Sequence, residues 1–262
     1  MQSINQISTI SIIGSGNVAT ALGTALSQNG LRIIEVFSPN IKNARLLSSK
    51  LKCNYVEYLE KLNPNSDLYI ISTPDKEITN VTSKLLDTDK IIVHTSGSEP
   101  INIFNSKHIN YGVFYPLQTF TKDELVDFKE IPICIEGSDN TTAKILKQLA
   151  ERISKNVVIL NSTQRQIIHL TAVTVNNFTN YLYGIAHDML LENDIDFSLL
   201  HPLINETAKK IAKVTPSKAQ TGPGRRNDIP TIKKHLELLN NKPQYQEIYK
   251  LLSNQIIKKY ND

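Results

Sequence analysis

The chain has 262 residues, of which 40% are hydrophobic and 21% are charged, a composition typical of a folded globular protein. Its formal net charge of +4 is spread along the chain rather than gathered in one block, which argues against a nucleic-acid partner. No apolar run is long enough to span a membrane and residues 1–9 lack a signal-peptide pattern, so we expect a cytoplasmic protein. Cys53 and Cys134 lie far apart, which predicts free thiols and no metal site.

Residues 1–160 alternate short β-rich segments with helical segments. Strands are predicted at Ile7–Ile13, Leu31–Phe37, Asp67–Ser72, Lys90–His94, Tyr111–Phe114, Ile131–Ile135 and Val157–Leu160. Helices are predicted at Asn17–Gln28, Ile41–Leu51, Asp75–Leu86 and Thr141–Ser154. Continuous apolar strands that alternate with helices are typical of a doubly wound parallel sheet, so an α/β Rossmann domain is predicted for residues 1–160.

Residues 161–262 contain no convincing strand, and they are predicted to form a separate all-α domain. Helices are predicted at Thr163–Glu192, Phe197–Val214, Thr231–Leu239 and Tyr245–Tyr260. A segment rich in proline and glycine, Thr215–Pro230, separates the second helix from the third.

The first predicted strand runs directly into the glycine-rich sequence GSGNVA, which begins the first helix. A loop of this kind between a strand and a helix predicts a dinucleotide site. Gly14 permits the tight turn, Gly16 lets the backbone approach a pyrophosphate, and Ala19 keeps the helix close to the sheet. Asn17 and Val18 then offer free amides to the phosphates. The alternative is a helix start that merely needs small residues.

The end of the second strand indicates which dinucleotide is bound. An acid there, roughly twenty residues after the glycine loop, favours NAD. This chain has Ser38, Pro39 and Asn40 instead. Lys42 and Arg45 follow, and small polar groups near cations suit a 2′-phosphate, so NADP(H) is predicted. The alternative is that both cations are simply solvated.

Further candidates lie where strands end, because ligands of open α/β sheets bind beyond the C-terminal ends of the strands. Thr73 and Pro74 are expected to line the middle of the cofactor. Ser96 and Gly97 are expected to approach the nicotinamide. His94 is a candidate catalytic proton donor, the alternative being a strand-end histidine bonded to the backbone.

The helical half supplies two more groups of candidates. On the long predicted helix, His169 and Asn177 share a face at i and i+8, so they need polar partners or a ligand. We expect His169 to transfer a proton with help from Asn177, and the alternative is a hydrogen bond between helices. In the turn TGPGRRND, Arg226 is expected to hold a substrate carboxylate and Asp228 to cap the next helix. The alternative is an ordinary loop.

Together these motifs resemble those of a known family, the Rossmann-like proteins that carry the DUF2520 domain. These proteins are often labelled NADP oxidoreductase, coenzyme F420-dependent type, and are related to pyrroline-5-carboxylate reductase, ketopantoate reductase and the 6-phosphogluconate dehydrogenase superfamily. The resemblance covers nearly the whole chain and rests on GSGNVATALG, HTSGS, YPLQTF, the segment from His169 to Asn177, and TGPGRRND.

The resemblance implies a helical domain that forms a homodimer, and a small-molecule substrate bound between the domains. The cofactor would lie against Gly14–Ala19, Ser38, Thr73, Pro74, Ser96 and Gly97. The substrate would lie near Tyr115, His169, Asn177 and Arg226, and Gln118 and Thr221 beside them complete the predicted substrate-binding set.

The sequence departs from relatives at three places. Related hydroxyacid dehydrogenases carry a catalytic lysine four residues before a helix asparagine, but Val173 stands there. A serine and arginine often end the second strand of such NADP-binding proteins, where this chain has Ser38 and Pro39. Tyr115 stands where relatives commonly have histidine.

Two classes of function remain open. The favoured hypothesis is an NADP(H)-dependent oxidoreductase that acts on a small polar substrate. The alternative is a protein that binds or senses NADP(H) without turnover, which the missing lysine supports. A reductase that uses deazaflavin F420 is a weaker third hypothesis.

Overall fold

The structure is a computed structural model that describes residues 7–85, 87–104, 108–121, 124 and 126–261. It divides into two compact units, Met1–Val175 and Asn176–Asp262. The change from mixed to all-helical structure occurs near residue 160, as predicted, because no strand follows Ile159 in the described part of the chain. The domain boundary at that residue stays a prediction.

The first unit contains an eight-stranded sheet with the order β3-β2-β1-β4-β5-β6-β7-β8. The strands are β1 (Thr9–Ile13), β2 (Arg32–Phe37), β3 (Asn54–Val56), β4 (Leu68–Ile71), β5 (Ile91–His94), β6 (Tyr111–Pro116), β7 (Ile133–Gly137) and β8 (Val157–Ile159). The helices are α1 (Asn17–Gln28), α2 (Ile41–Leu51), α3 (Asp75–Lys84), α4 (Asn140–Glu151) and α5 (Ser162–Ala172). The predicted α/β class with a Rossmann-like arrangement is confirmed.

Two features of the sheet differ from the prediction. β3 was not expected, because it has only three residues and its Asn54 interrupts any apolar run. β7 pairs antiparallel with β6, although the other pairings are parallel. Parallel neighbours need a crossover connection, usually a helix, but the described part of the connection from β6 to β7 holds only the 3-10 turn Phe128–Glu130.

Apolar side chains cover both faces of this sheet. On one face Ile10 and Ile12 of β1 pack with Leu22 and Leu26 of α1 in a single buried cluster. On the other face Ile13 belongs to a second cluster, which includes residues of β4, β5 and α3. Successive strand residues point to opposite faces, so the continuous apolar runs follow from burial on both sides. The sheet thereby holds the C-terminal ends of its central strands at one edge.

The second unit is helical, as predicted. A π-helical segment, Val173–Phe178, continues α5, and a 3-10 turn spans Phe197–Leu200. The helices are α6 (Thr179–Leu191), α7 (His201–Ile211), α8 (Pro216–Ala219), α9 (Ile229–Leu238) and α10 (Pro243–Asn261). None of the described helices combines the length and the apolar character needed to cross a membrane.

Candidate functional site

The loop from β1 to α1 contains two glycines with different surroundings. Gly14 has a φ of +123°, and a Cβ built on it would lie 2.3 Å from the main-chain oxygen of Ser72. A Cβ on Gly16, in contrast, would meet no heavy atom within 4 Å. Gly14 is therefore required by the turn itself, whereas Gly16 leaves open space beside the backbone.

The first turn of α1 is ready to receive an anion. Gly16 stands at the N-cap without a side-chain hydrogen bond to the helix, and the first turn contains no acidic residue. The N–H groups of this turn are therefore free of competing side chains, and the helix dipole favours negative charge there. The side chain of Asn17 has a structural contact of its own, because its Nδ2 donates to the Phe120 main-chain oxygen at 2.8 Å.

A cleft of about 950 Å³ opens beside this loop. Most of the predicted cofactor-binding residues line it, namely Gly14, Gly16, Asn17, Val18, Ser38, Thr73 and Pro74. Asn40, Ser96 and Gly97 are not among the lining residues. The Oδ1 of Asn40 caps α2 by accepting from the Asn43 N–H at 3.1 Å. The cleft has the size of small-molecule and cofactor sites in general, and the open space at Gly16 fits a phosphate-bearing ligand.

The cations expected near a 2′-phosphate lie elsewhere. Ser38 lines the cleft and its hydroxyl accepts from the Ser15 hydroxyl at 2.8 Å. The Arg45 guanidinium lies 5.1 Å from the centre of the Tyr55 ring, in a cation–π contact. Neither Arg45 nor Lys42 lines the cleft in the described part of the chain. A contact of these two cations with a 2′-phosphate stays a prediction.

At the next strand ends, Tyr115 of β6 and His169 of α5 meet above Gly97. Tyr115 Oη and His169 Nδ1 are 3.1 Å apart, and the two rings are packed edge to face. A Cβ on Gly97 would lie 2.5 Å from His169 Nδ1 and 2.8 Å from Tyr115 Cζ. Glycine is therefore required at this position by close packing rather than by an unusual φ.

The hydrogen bond within this pair joins a phenol to an imidazole nitrogen. Burial raises the pKa of Tyr115 to about 12, with a further contribution from Cys134 opposite it on β7. The phenol therefore keeps its proton at neutral pH, and the tautomer of the imidazole determines which of the two groups donates the hydrogen bond. Nε2 of His169 lies outside this hydrogen bond and is the ring nitrogen left to a ligand.

His94 lies in different surroundings. It is fully buried, its Nδ1 accepts from the Ser96 N–H at 3.2 Å, and its ring stacks on Phe104. Burial lowers the pKa of His94 to about 3, and the positive charge of Arg165 adds to this effect. A neutral, buried ring bonded to the backbone agrees with the structural alternative for His94 rather than with proton transfer.

Sequence reasoning missed Arg165, which lies one helical turn before His169. Arg165 is 0% exposed, and its Nη1 donates to the main-chain oxygens of Ser96 at 3.1 Å and Gly97 at 3.0 Å. Its Nη2 forms an ion pair with Glu136 Oε2 at 3.1 Å. The i, i+4 spacing of Arg165 and His169 was the one signal that both belong to the same helix face.

The candidates of the helical unit are exposed to solvent. Asn177, Thr221 and Arg226 all have exposed side chains. Asn177 lies in the π-helical segment, in which hydrogen bonds run from i to i+5. Because the predicted shared face assumed an unbroken α-helix, the spacing argument does not extend beyond Ala172.

Two smaller predictions have clear outcomes. Asp228 caps α9 as expected, since its Oδ1 accepts from the Thr231 N–H at 3.2 Å. Both Cys53 and Cys134 are free, as expected.

Gln118, a predicted substrate-binding residue, accepts a hydrogen bond at its Oε1 from the main-chain N–H of Thr119, at 2.8 Å. Among the described residues no group of side chains could hold a metal ion.

A Rossmann-like sheet, a glycine-rich loop with an uncapped helix start and a cleft beside it are features of dinucleotide-binding proteins. Comparison with known proteins identifies the family. Residues 9–97 match the family "NADP oxidoreductase coenzyme F420-dependent", and residues 131–256 match "Domain of unknown function (DUF2520)". No curated protein matches the chain.

Solved structures give the same result over the whole chain. A candidate NADP oxidoreductase from Bacteroides fragilis is 40% identical, with a TM-score of 0.89 over 98% of this chain and 100% of that one. A Thermotoga maritima protein is 25% identical, with a TM-score of 0.74 over 95% and 99%. The chain therefore belongs to the family of NADP oxidoreductases that carry the DUF2520 domain.

A more distant structure shares the fold. An imine reductase from Myxococcus stipitatus in complex with NADP+ is 14% identical, with a TM-score of 0.67 over 95% of this chain and 93% of that one.

The two glycines of the first loop give a matched pair of variants. Gly16→Ala should leave the melting temperature unchanged but weaken NADPH binding about tenfold or more, because the new Cβ enters the space open to phosphates. Gly14→Ala should lower the melting temperature by roughly 5 °C or more, because of its positive φ and the clash with Ser72. Titration calorimetry would measure the NADPH affinity, and thermal melts would measure the melting temperature. Unchanged NADPH binding by Gly16→Ala would contradict the prediction that phosphates occupy the space beside Gly16.

The buried His94 predicts an acid-dependent loss of stability. Its pKa is lowered from 6.5 to about 3, so the unfolded chain binds a proton that the folded chain excludes between these values. The stability contributed by neutral His94 is thus present above pH 6.5 and is lost as pH falls toward 3. His94→Asn keeps an acceptor for the Ser96 amide and should show a shallower acid loss in urea unfolding. If the stabilities of the variant and the wild type fall in parallel as pH is lowered, His94 is not the cause of the acid-dependent loss.

Proposed function

We propose that this protein is an NADP(H)-dependent oxidoreductase that reduces or oxidises a small polar substrate. The observation that carries the proposal is the hydrogen-bonded pair of Tyr115 and His169 above Gly97. This pair stands at the same sheet edge as the cleft beside the glycine loop, as ligand sites of open α/β sheets do. Membership of an NADP oxidoreductase family supports the choice of cofactor.

The bound cofactor would supply hydride transfer, and the residues of this chain would supply orientation and a proton. His169 is the proton donor or acceptor in this proposal, through its Nε2. Tyr115 fixes the ring through its hydrogen bond with Nδ1, much as an orienting group does in other acid–base pairs. His94 is left in a structural role because it is buried and neutral.

The substrate remains open within this proposal. Asn177 assisting His169, Arg226 holding a substrate carboxylate, and a substrate bound between the domains all stay predictions of the sequence and of the family resemblance. The same is true of Gln118 and Thr221, and of a cytoplasmic location.

Removal of either member of the pair should impair turnover more than cofactor binding. His169→Ala should lower kcat by about 10²-fold or more, as expected for loss of general acid–base catalysis, and Tyr115→Phe by about tenfold. NADPH affinity should change little, because the glycine loop lies elsewhere. Cofactor oxidation would be followed spectroscopically over a panel of keto acids and imines.

A second histidine–tyrosine pair provides the control. His235 Nδ1 and Tyr249 Oη are 2.6 Å apart in the helical unit, so Tyr249→Phe removes a comparable hydrogen bond. This variant should keep wild-type turnover. Full activity of His169→Ala would overturn the catalytic role, and cofactor binding without turnover on the whole panel would favour the NADP(H)-sensing alternative.

We also propose that the protein is a homodimer formed through its helical unit. In residues 176–261 the only buried residues are Gly224, Ile232, Leu239 and Ser253. Large apolar side chains of the same unit are exposed, among them Leu199 at 70% and Leu203 at 64%. An apolar surface of this kind indicates contact with another protein surface, and homodimer interfaces are apolar in this way.

Sedimentation equilibrium at micromolar concentration should give twice the 29.5 kDa chain mass. The double variant Leu199→Arg and Leu203→Arg should shift the equilibrium toward the monomer, because both exposed leucines would carry charge into an apolar interface. Leu46→Arg, at a residue 54% exposed on α2 of the first unit, is the matched control and should remain dimeric. A monomeric wild-type chain would contradict the proposal.

A further inference from the structure

A buried arginine holds the main chain of the loop that follows β5. Nη1 of Arg165 donates to two successive main-chain oxygens, those of Ser96 and Gly97. The planar guanidinium presents donors in a fixed fork, so it constrains both peptide groups at once. Arg165 thereby fixes the orientation of a loop that is expected to face the nicotinamide.

The direction of these carbonyls determines the direction of an amide. No peptide bond in the described chain is cis, so the N–H of Gly97 points opposite to the Ser96 carbonyl within one peptide plane. Because that carbonyl points to the buried Arg165, the Gly97 N–H is directed away from the guanidinium. Among the described residues no acceptor pairs with it, so this donor of the buried Gly97 is unused in the free chain.

The same helix contacts the loop a second time. His169 lies one turn after Arg165 on α5, and its Nδ1 would be only 2.5 Å from a Cβ on Gly97. Arg165 therefore binds the loop carbonyls while His169 packs directly on the Gly97 backbone. The distance between loop and imidazole depends on both contacts.

An ion pair with Glu136 holds the Arg165 guanidinium in place behind the loop. Glu136 pairs with Arg165 and also accepts from the Ser162 hydroxyl, at 3.0 and 2.9 Å. Nε of Arg165 has no partner among the described residues. Burying a charged pair costs desolvation energy, and apolar replacements are often equally stable or more so. The arrangement thus adds little to stability in comparison with the geometry that it imposes.

From these contacts we infer that Arg165 is a positioning residue for the nicotinamide half of the cofactor site. It sets the Ser96–Gly97 peptide so that the Gly97 N–H faces the ligand and the loop stays at contact distance from His169. The inference rests on the proposed function, because it assumes that NADP(H) binds at this sheet edge.

Binding of two ligands can be compared to test the two halves of the cofactor site independently. NADPH contains the nicotinamide, whereas 2′,5′-ADP contains only the adenosine half. Arg165→Met should weaken NADPH binding about tenfold and shift the emission of bound NADPH toward that of free NADPH, while 2′,5′-ADP affinity stays within about twofold. Arg165→Lys, which keeps the charge but not the fork, should restore part of the loss. Titration calorimetry and NADPH fluorescence would measure these effects.

Arg152→Met is the matched control, because Arg152 is exposed and donates to a main-chain oxygen, that of Asn29, at 2.9 Å. It should bind both ligands like the wild type. Equal affinity of Arg165→Met and wild type for NADPH, or an equal loss for both ligands, would overturn the inference. If Arg165→Met does not fold, the ratio of the two affinities in Arg165→Lys decides, and an unchanged ratio overturns it. Wild-type protein that binds neither ligand would overturn the proposed function itself, and this inference with it.

Discussion

The candidate site depends on two places where a main chain is approached so closely that only glycine fits. Gly14 lies against the main-chain oxygen of Ser72, and Gly97 lies against the rings of His169 and Tyr115. The first contact joins the glycine loop to the end of β4, and the second joins the end of β5 to α5. Both contacts lie at the edge of the sheet where the parallel strands β1, β4, β5 and β6 end. Every other element of the proposed site is positioned relative to that edge.

Burial influences which side chains are charged at this edge of the sheet. The Arg165 cation is paired with Glu136 below the loop, and His94 is kept neutral beside it. The Tyr115 phenol keeps its proton because its surroundings disfavour the phenolate. The edge also carries exposed charge, because the carboxylate of Asp75 accepts a hydrogen bond from the Ser98 hydroxyl.

Much of the fold could be predicted because its signals are local. Apolar runs predicted the central strands, and the glycine-rich sequence predicted the turn from β1 into α1. β3 was missed because three residues, one of them Asn54, leave no pattern. The antiparallel β7 was missed because strand direction depends on the connection rather than on the strand itself. The π-helical segment was missed because its residues fit an α-helical pattern equally well.

The candidate site was harder to predict than the fold. Candidate residues such as Tyr115 and His169 were identifiable by type, but their contact depends on how α5 meets β6. Arg165 resembles any solvent-exposed arginine of an amphipathic helix until the loop carbonyls are placed around it. At Arg45 the sequence predicted a phosphate ligand, and the structure places its guanidinium over the Tyr55 ring. Long-range packing decides such cases, and no sequence period encodes it.

The uncapped start of α1 has a thermodynamic consequence. Its leading N–H groups receive no hydrogen bond from a capping side chain, so part of the potential stability of this helix is left unrealised in the free chain. An anion that occupies this position completes the helix, and mass action then adds its binding energy to the folded state alone. Resistance to unfolding and proteolysis would therefore rise with the concentration of the phosphate-bearing ligand, linking the lifetime of the polypeptide to the supply of that ligand.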